Sequence, residues 1–85
     1  MALDLVYFAW VREAIGLPGE RVDPPAEVRD VAGLIAWLAE RSRGHREALR
    51  DPGRLRAAID QRFVDLNALL DGAREVAIFP PVTGG

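Results

Sequence analysis

The sequence predicts an α+β domain: a mixed β-sheet with one main helix packed on one face. Three observations carry that reading. Apolar residues alternate at both ends of the chain, with Leu3, Leu5 and Tyr7 near the start and Val76 and Ile78 near the end, which is the period of a strand. Val31, Leu34, Ile35 and Leu38 recur at the period of a helix and form one apolar stripe. Leu55, Ala57 and Ile59 alternate ahead of Asp60-Gln61-Arg62 and Phe63-Val64, the pattern of a hairpin. A striped helix has to bury its stripe on another layer, and here that layer is the sheet.

The elements follow in order. Residues 2–8 read as the first strand, with Leu3, Leu5 and Tyr7 on one side and Asp4, Val6 and Phe8 on the other. Residues 9–15 carry Val11, Ala14 and Ile15 at helical spacing, and Gly16 stands where that helix would stop. Leu17-Pro18-Gly19 is a turn. Residues 20–23 form a short polar strand before Pro24-Pro25, a composition suited to a sheet edge. Asp30 is the predicted N-cap of the main helix, with Trp37 on the flank of its stripe. Gly33 weakens that helix by about 1 kcal/mol relative to alanine. Residues 41–44 end it, residues 45–50 add a further helical turn, and Asp51-Pro52-Gly53 closes the segment. After the hairpin, Leu69-Leu70 anchors the Asp71-Gly72 turn, and residues 75–79 form the last strand. Val76 and Ile78 lie on one face of it, Ala77 and Phe79 on the other.

This order matches the β-grasp arrangement of ubiquitin-like domains, in which the first and last strands lie parallel at the centre of the sheet. The predicted organisation is a β-grasp domain over residues 1–79 and a flexible tail over residues 80–85. Pro80 and Pro81 lack amide hydrogens and stop a strand at Phe79. From Pro80 the tail can reach roughly 20 Å at about 3.3 Å per residue. Phe8 and Phe79 fall out of phase with the core positions. Together with Val6 and Ala77 they predict an apolar patch open to solvent near the tail's exit.

Composition bounds the chemistry. With 85 residues there is room for one domain and a small core. A net charge of −2 gives no pull toward nucleic acid or an anionic membrane. No apolar run approaches a membrane span, and Asp4 interrupts the first apolar run, against a secretory signal, so a cytoplasmic location is expected. Cysteine is absent, which excludes a thiolate nucleophile and a sulfur-ligated metal. All eleven basic residues are arginine, so no side-chain amine is available for a Schiff base or an isopeptide bond. His45 sits among Arg43, Gly44 and Arg46 and is expected to be solvent-exposed, without a general-base role. The arginines at 41, 43, 46, 50, 54 and 56 allow a phosphate-binding track, but Glu47 and Asp51 among them favour a solvated face. Glu13, Asp30, Glu40 and Asp65 form no catalytic pair, and no P-loop, nucleophile elbow or metal motif is present. The chain is not expected to be an enzyme on its own.

The end of the chain carries a resemblance. Leu70-Asp71-Gly72, then Glu75-Val76-Ala77-Ile78-Phe79-Pro80-Pro81-Val82-Thr83-Gly84-Gly85, resembles the C-terminus of the small subunit of molybdopterin synthase, the MoaD family. Leu5-Val6-Tyr7-Phe8-Ala9 and Val11-Arg12-Glu13 are similar to that family's first strand and short helix. Two positions depart from the family pattern, both at turns. Asp60 stands where the family usually has Asn, and Ala73-Arg74 where an acidic residue usually follows the Asp-Gly turn.

The resemblance implies a sulfur carrier. An adenylating, E1-like activating enzyme would use ATP to adenylate the carboxylate of Gly85, the catalytic position, and sulfur would then replace the adenylate to give a thiocarboxylate. The large synthase subunit would take in the tail, and the sulfur would pass to cyclic pyranopterin monophosphate within a heterotetrameric synthase. Phe8, Phe79, Pro80, Pro81, Val82, Thr83 and Gly84 would bind the partner. The resemblance implies no metal, no bound cofactor and no partnership with nucleic acid or membrane. Two alternatives stay open: a ubiquitin-like sulfur carrier for thiamine synthesis or tRNA thiolation, and a non-enzymatic interaction module.

Overall fold

The computed structural model describes residues 2–81. The chain runs β1 (Leu3–Tyr7), α1 (Ala9–Ile15), β2 (Gly19–Val22), α2 (Val31–Leu38), α3 (Arg43–Leu49), a 3-10 turn (Pro52–Arg54), β3 (Arg56–Ile59), β4 (Arg62–Val64) and β5 (Glu75–Phe79). The sheet order is β2-β1-β5-β3-β4. β1 and β5 are parallel neighbours at its centre, with Leu5 opposite Val76 and Tyr7 opposite Ile78. The other pairings are antiparallel. This is the β-grasp arrangement.

The inner face holds the core. Leu3, Leu5 and Tyr7 of β1, Ala57 of β3 and Val76 and Ile78 of β5 are buried in one cluster with Val31, Leu34, Ile35 and Leu38 of α2. Burying each large apolar side chain of that stripe contributes about 1.5–3 kcal/mol. The Asp30 Oδ1 accepts the Gly33 N–H at 2.7 Å, so the expected cap is formed. α1 covers the expected residues, and Gly16 ends it in the left-handed conformation, with φ 89°.

Several boundaries differ from expectation, each for a local reason. β1 stops at Tyr7, because Phe8 is already the extended N-cap residue of α1. β2 begins one residue early, at Gly19, which pairs with Val6. A Cβ there would lie 2.3 Å from the Leu5 carbonyl oxygen, so only glycine fits that approach. α2 ends at Leu38 and α3 starts at Arg43, where the Ser42 Oγ accepts the His45 N–H at 3.1 Å. Gly44 lets α3 close on α1, since a Cβ would meet the Ala14 carbonyl oxygen at 2.5 Å. The hairpin turn is two residues, not three. Asp60 and Gln61 both have positive φ, 50° and 71°, and Arg62 is already paired with Ile59.

Candidate functional site: an aromatic groove where the last strand ends

The outer face of the sheet is built from small and large residues in register. Ala58 of β3 stands opposite Ala77 of β5 on one side and Phe63 of β4 on the other. The two alanines are nearly covered, at 5% and 7% exposure, and form the floor. The rings stand around it. Phe79, half-buried, lies 5.7 Å from Phe63 and 6.4 Å from Phe8 between ring centroids, the latter pair edge to face. Phe8 is 49% exposed and Phe63 83%. An open groove of about 610 Å³ is lined by Phe8, Ala58, Phe63, Ala77, Phe79 and Pro80, among others. Large apolar side chains left this open beside one another make the groove a candidate binding surface.

Two backbone features hold the groove in shape. Ala9 has φ 53° and turns the chain sharply from Phe8 into α1. A non-glycine residue held there costs about 1 kcal/mol or more. Asp60 clamps the other side. Its Oδ1 accepts the N–H groups of Arg74 and Glu75 at 3.1 and 2.9 Å, and its own N–H donates to the Glu75 carbonyl at 3.0 Å. The hairpin that carries Phe63 is thereby tied to the start of β5. Both amides bond to one side-chain oxygen, a role the carbonyl oxygen of Asn could also fill, so Asp in place of Asn keeps the clamp.

Phe8, Phe79 and Pro80 come together as expected from the sequence, and Pro81 also lines the groove. Val6 is half-buried opposite Ala77 and does not line it. Phe63 is not among the residues the sequence singles out: it sits in a three-residue strand, and its outward direction follows only once Val64 is seen to pack on the core. The expected roles of Val82, Thr83, Gly84 and Gly85 lie outside the described residues.

His45 contradicts its expected exposure. It is 5% exposed, the one buried polar or charged residue among the described residues. Its Nε2 lies 2.6 Å from the Glu20 Oε2, and its Nδ1 lies 2.7 Å from the Ser42 Oγ. The Tyr7 hydroxyl donates to the same Glu20 oxygen at 2.8 Å, and the Arg41 guanidinium stands 3.7 Å from Oε1. Partial burial works to raise the Glu20 carboxyl. Hydrogen bonds from His45 and Tyr7, then the charge interactions with His45 and Arg41, outweigh it and hold the group below the usual carboxylate range. Burial, and then the bond to that carboxylate, push the Tyr7 phenol up.

The arginines do not gather into a track. Arg41 lies over Trp37 and Arg54 over Trp10, at 5.2 and 5.1 Å from the ring centroids, and Arg50 pairs with Glu47. Among the described residues no group of three His, Asp or Glu side chains is placed to hold a metal ion. No described helix is long and apolar enough to cross a membrane.

Residues 5–85 match the model of the ThiS family. The molybdopterin synthase sulfur carrier subunit of Escherichia coli (strain K12) is 39% identical over 83 residues, spanning 98% of this chain and 99% of that protein. The subunit of the same name from Mycosarcoma maydis is 33% identical, spanning 95% and 90%. Among solved structures, the protein-protein complex of subunits 1 and 2 of molybdopterin-converting factor from Helicobacter pylori 26695 contains a chain that superposes with a TM-score of 0.64 at 28% identity, covering all of both chains. SAMP1 from Haloferax volcanii superposes with a TM-score of 0.72 over all of both chains at 22% identity, a likeness of fold alone.

Proposed function

This chain belongs to the ThiS family, among the sulfur carrier subunits of molybdopterin synthase, and on that premise we propose that it carries sulfur on the carboxylate of Gly85. A carboxylate is a poor electrophile, so an activating enzyme first supplies ATP. The Gly85 carboxylate attacks the α-phosphate, pyrophosphate leaves, and an acyl adenylate forms. A sulfur donor displaces AMP to leave a thiocarboxylate. Its sulfur attacks a cyclic pyranopterin monophosphate held by the large synthase subunit, and water returns the terminus to a carboxylate. Two such transfers make the dithiolene. Gly84 and Gly85 pass a narrow channel, while Val82 and Thr83 are gripped along its wall.

The observation that carries this reading is the position of the groove. Phe8, Phe63 and Phe79 cluster where β5 ends, and Pro80 and Pro81 leave from the same place toward the Gly-Gly terminus. A partner that covers the aromatic rings therefore also receives the tail. The domain supplies the anchor, and the tail supplies the chemistry.

Expression with an activating enzyme and a sulfur donor, followed by intact mass measurement, tests the reading. The expected result is one oxygen-to-sulfur exchange confined to the C-terminal peptide. An unchanged mass under ATP turnover would overturn it. A thiocarboxylate that fails to convert the pterin with the large subunit would assign the carrier to another sulfur pathway.

A further inference from the structure

Serine, histidine and tyrosine each occur once in this sequence, as Ser42, His45 and Tyr7. The fold gathers all three around one carboxylate, Glu20, on a different strand from Tyr7 and 25 residues from His45. The sulfur-carrier reading uses none of them.

The hydrogen bonds have a direction. Glu20 is held ionised and can only accept, so the Tyr7 O–H and the His45 Nε2–H both donate to its Oε2. In the neutral ring, with the Nε2–H on Glu20, Nδ1 carries the lone pair, and the Ser42 hydroxyl at 2.7 Å is placed to donate to it. The Ser42 Oγ also accepts the His45 backbone N–H at 3.1 Å, which leaves it one further lone pair. Burial is graded along the relay. Ser42 is exposed, while the side chains of His45 and Glu20 are only 7% and 14% exposed. Capping α3 needs only the bond from Oγ to the backbone N–H. The second bond to the imidazole, backed by a charged carboxylate, exceeds what a cap requires. A hydroxyl on an exposed residue, placed against a ring that a third group orients, has the arrangement of an activated nucleophile.

We propose that Ser42 is an acyl-accepting nucleophile, with His45 as its general base and Glu20 as the positioning residue that orients the imidazole. The substrate class is a small activated acyl ester. The Ser42 Oγ attacks the acyl carbon, its proton passes to His45 Nδ1, and the resulting imidazolium is balanced by Glu20. The alcohol or phenol leaving group departs, and the proton on Nδ1 is released to it or to water. The product is an ester on Ser42. The event is a single stoichiometric acylation, which requires no turnover, and it is independent of Gly85.

The test uses p-nitrophenyl acetate on the full-length protein, with the acetyl group located by peptide mass mapping. Folded wild-type protein is expected to be acetylated at Ser42 about 100-fold faster than the same chain unfolded in urea, the lower end of general-base effects. His45→Gln is expected to lose that advantage while its circular dichroism remains that of the folded domain. Ser42→Ala should show no label on the peptide spanning 42–45. Glu20→Gln keeps an acceptor for Nε2 but removes the charge, and should slow labelling, with Glu20→Asp restoring part of the rate. The proposal is overturned if acetyl appears only on the main-chain amine, or if Ser42 is labelled equally fast folded, unfolded and in His45→Gln. The comparison of folded with unfolded wild type stands even if a variant fails to fold.

Discussion

Tyr7 and Phe8 are neighbours in the chain and opposites in role. Tyr7 points to the inner face, is 1% exposed, and ends in a hydrogen bond to Glu20. Phe8 points to the outer face, is 49% exposed, and meets Phe79 edge to face. The same contrast runs across the sheet. The inner face is closed by α2 and held by apolar contact, with one polar knot fully partnered. The outer face leaves three phenylalanines around a floor of alanines. The inner face stabilises the domain, and in the proposed function the outer face and the tail serve a partner. Substitutions should therefore separate cleanly by face.

The largest expected effect on stability is on the inner face. Leu34→Ala removes a fully buried side chain from the α2 stripe and should cost about 2–5 kcal/mol of unfolding free energy, read from urea midpoints. Affinity per folded molecule for the large partner subunit should not change. On the outer face the readouts exchange. Phe63→Ala should leave the urea midpoint within about 0.5 kcal/mol of wild type, since the ring is exposed. It should weaken partner binding by about 2 kcal/mol, as truncation of an interface aromatic commonly does. A variant that lost stability and kept affinity would break the division between faces.

Two smaller effects sharpen it. Asp30→Ala removes the side-chain acceptor for the Gly33 N–H and should lower stability by about 1 kcal/mol with no change in binding. Glu20 has a folded-state value held below its ordinary 4.5, so its contribution is present above that pH and is lost as pH falls through the lowered value. Glu20→Gln should flatten that part of the acid limb in a thermal unfolding series run at successive pH values. A wild-type acid limb in the variant would remove Glu20 from the account of acid stability.

The contrast between faces also explains what could be read from the sequence. α1, the α2 stripe and β5 follow local periods, so Val31, Leu34, Ile35 and Leu38 identify the core without knowledge of the fold. Phe8 and Phe79 were legible because each breaks phase with that pattern. Phe63 obeys the same rule, but its strand has only three residues, too few for the alternation to declare itself. His45 could not be placed. Its local neighbours are charged, and two of the groups it meets, Tyr7 and Glu20, lie on β1 and β2, the latter 25 residues away. Non-local pairing leaves no mark on a local pattern. The hairpin boundary was missed for another reason: Asp60 and Gln61 both adopt positive φ without a glycine to signal it.

The central claim is that the domain anchors while the terminus reacts. Its most direct test is deletion of Gly85, with three readouts on one sample: circular dichroism, affinity for the large subunit, and dithiolene formation in the reconstituted synthase. The account predicts a folded protein that still binds through Phe8, Phe63 and Phe79 and forms no dithiolene. A truncated chain that still supported dithiolene formation would contradict it.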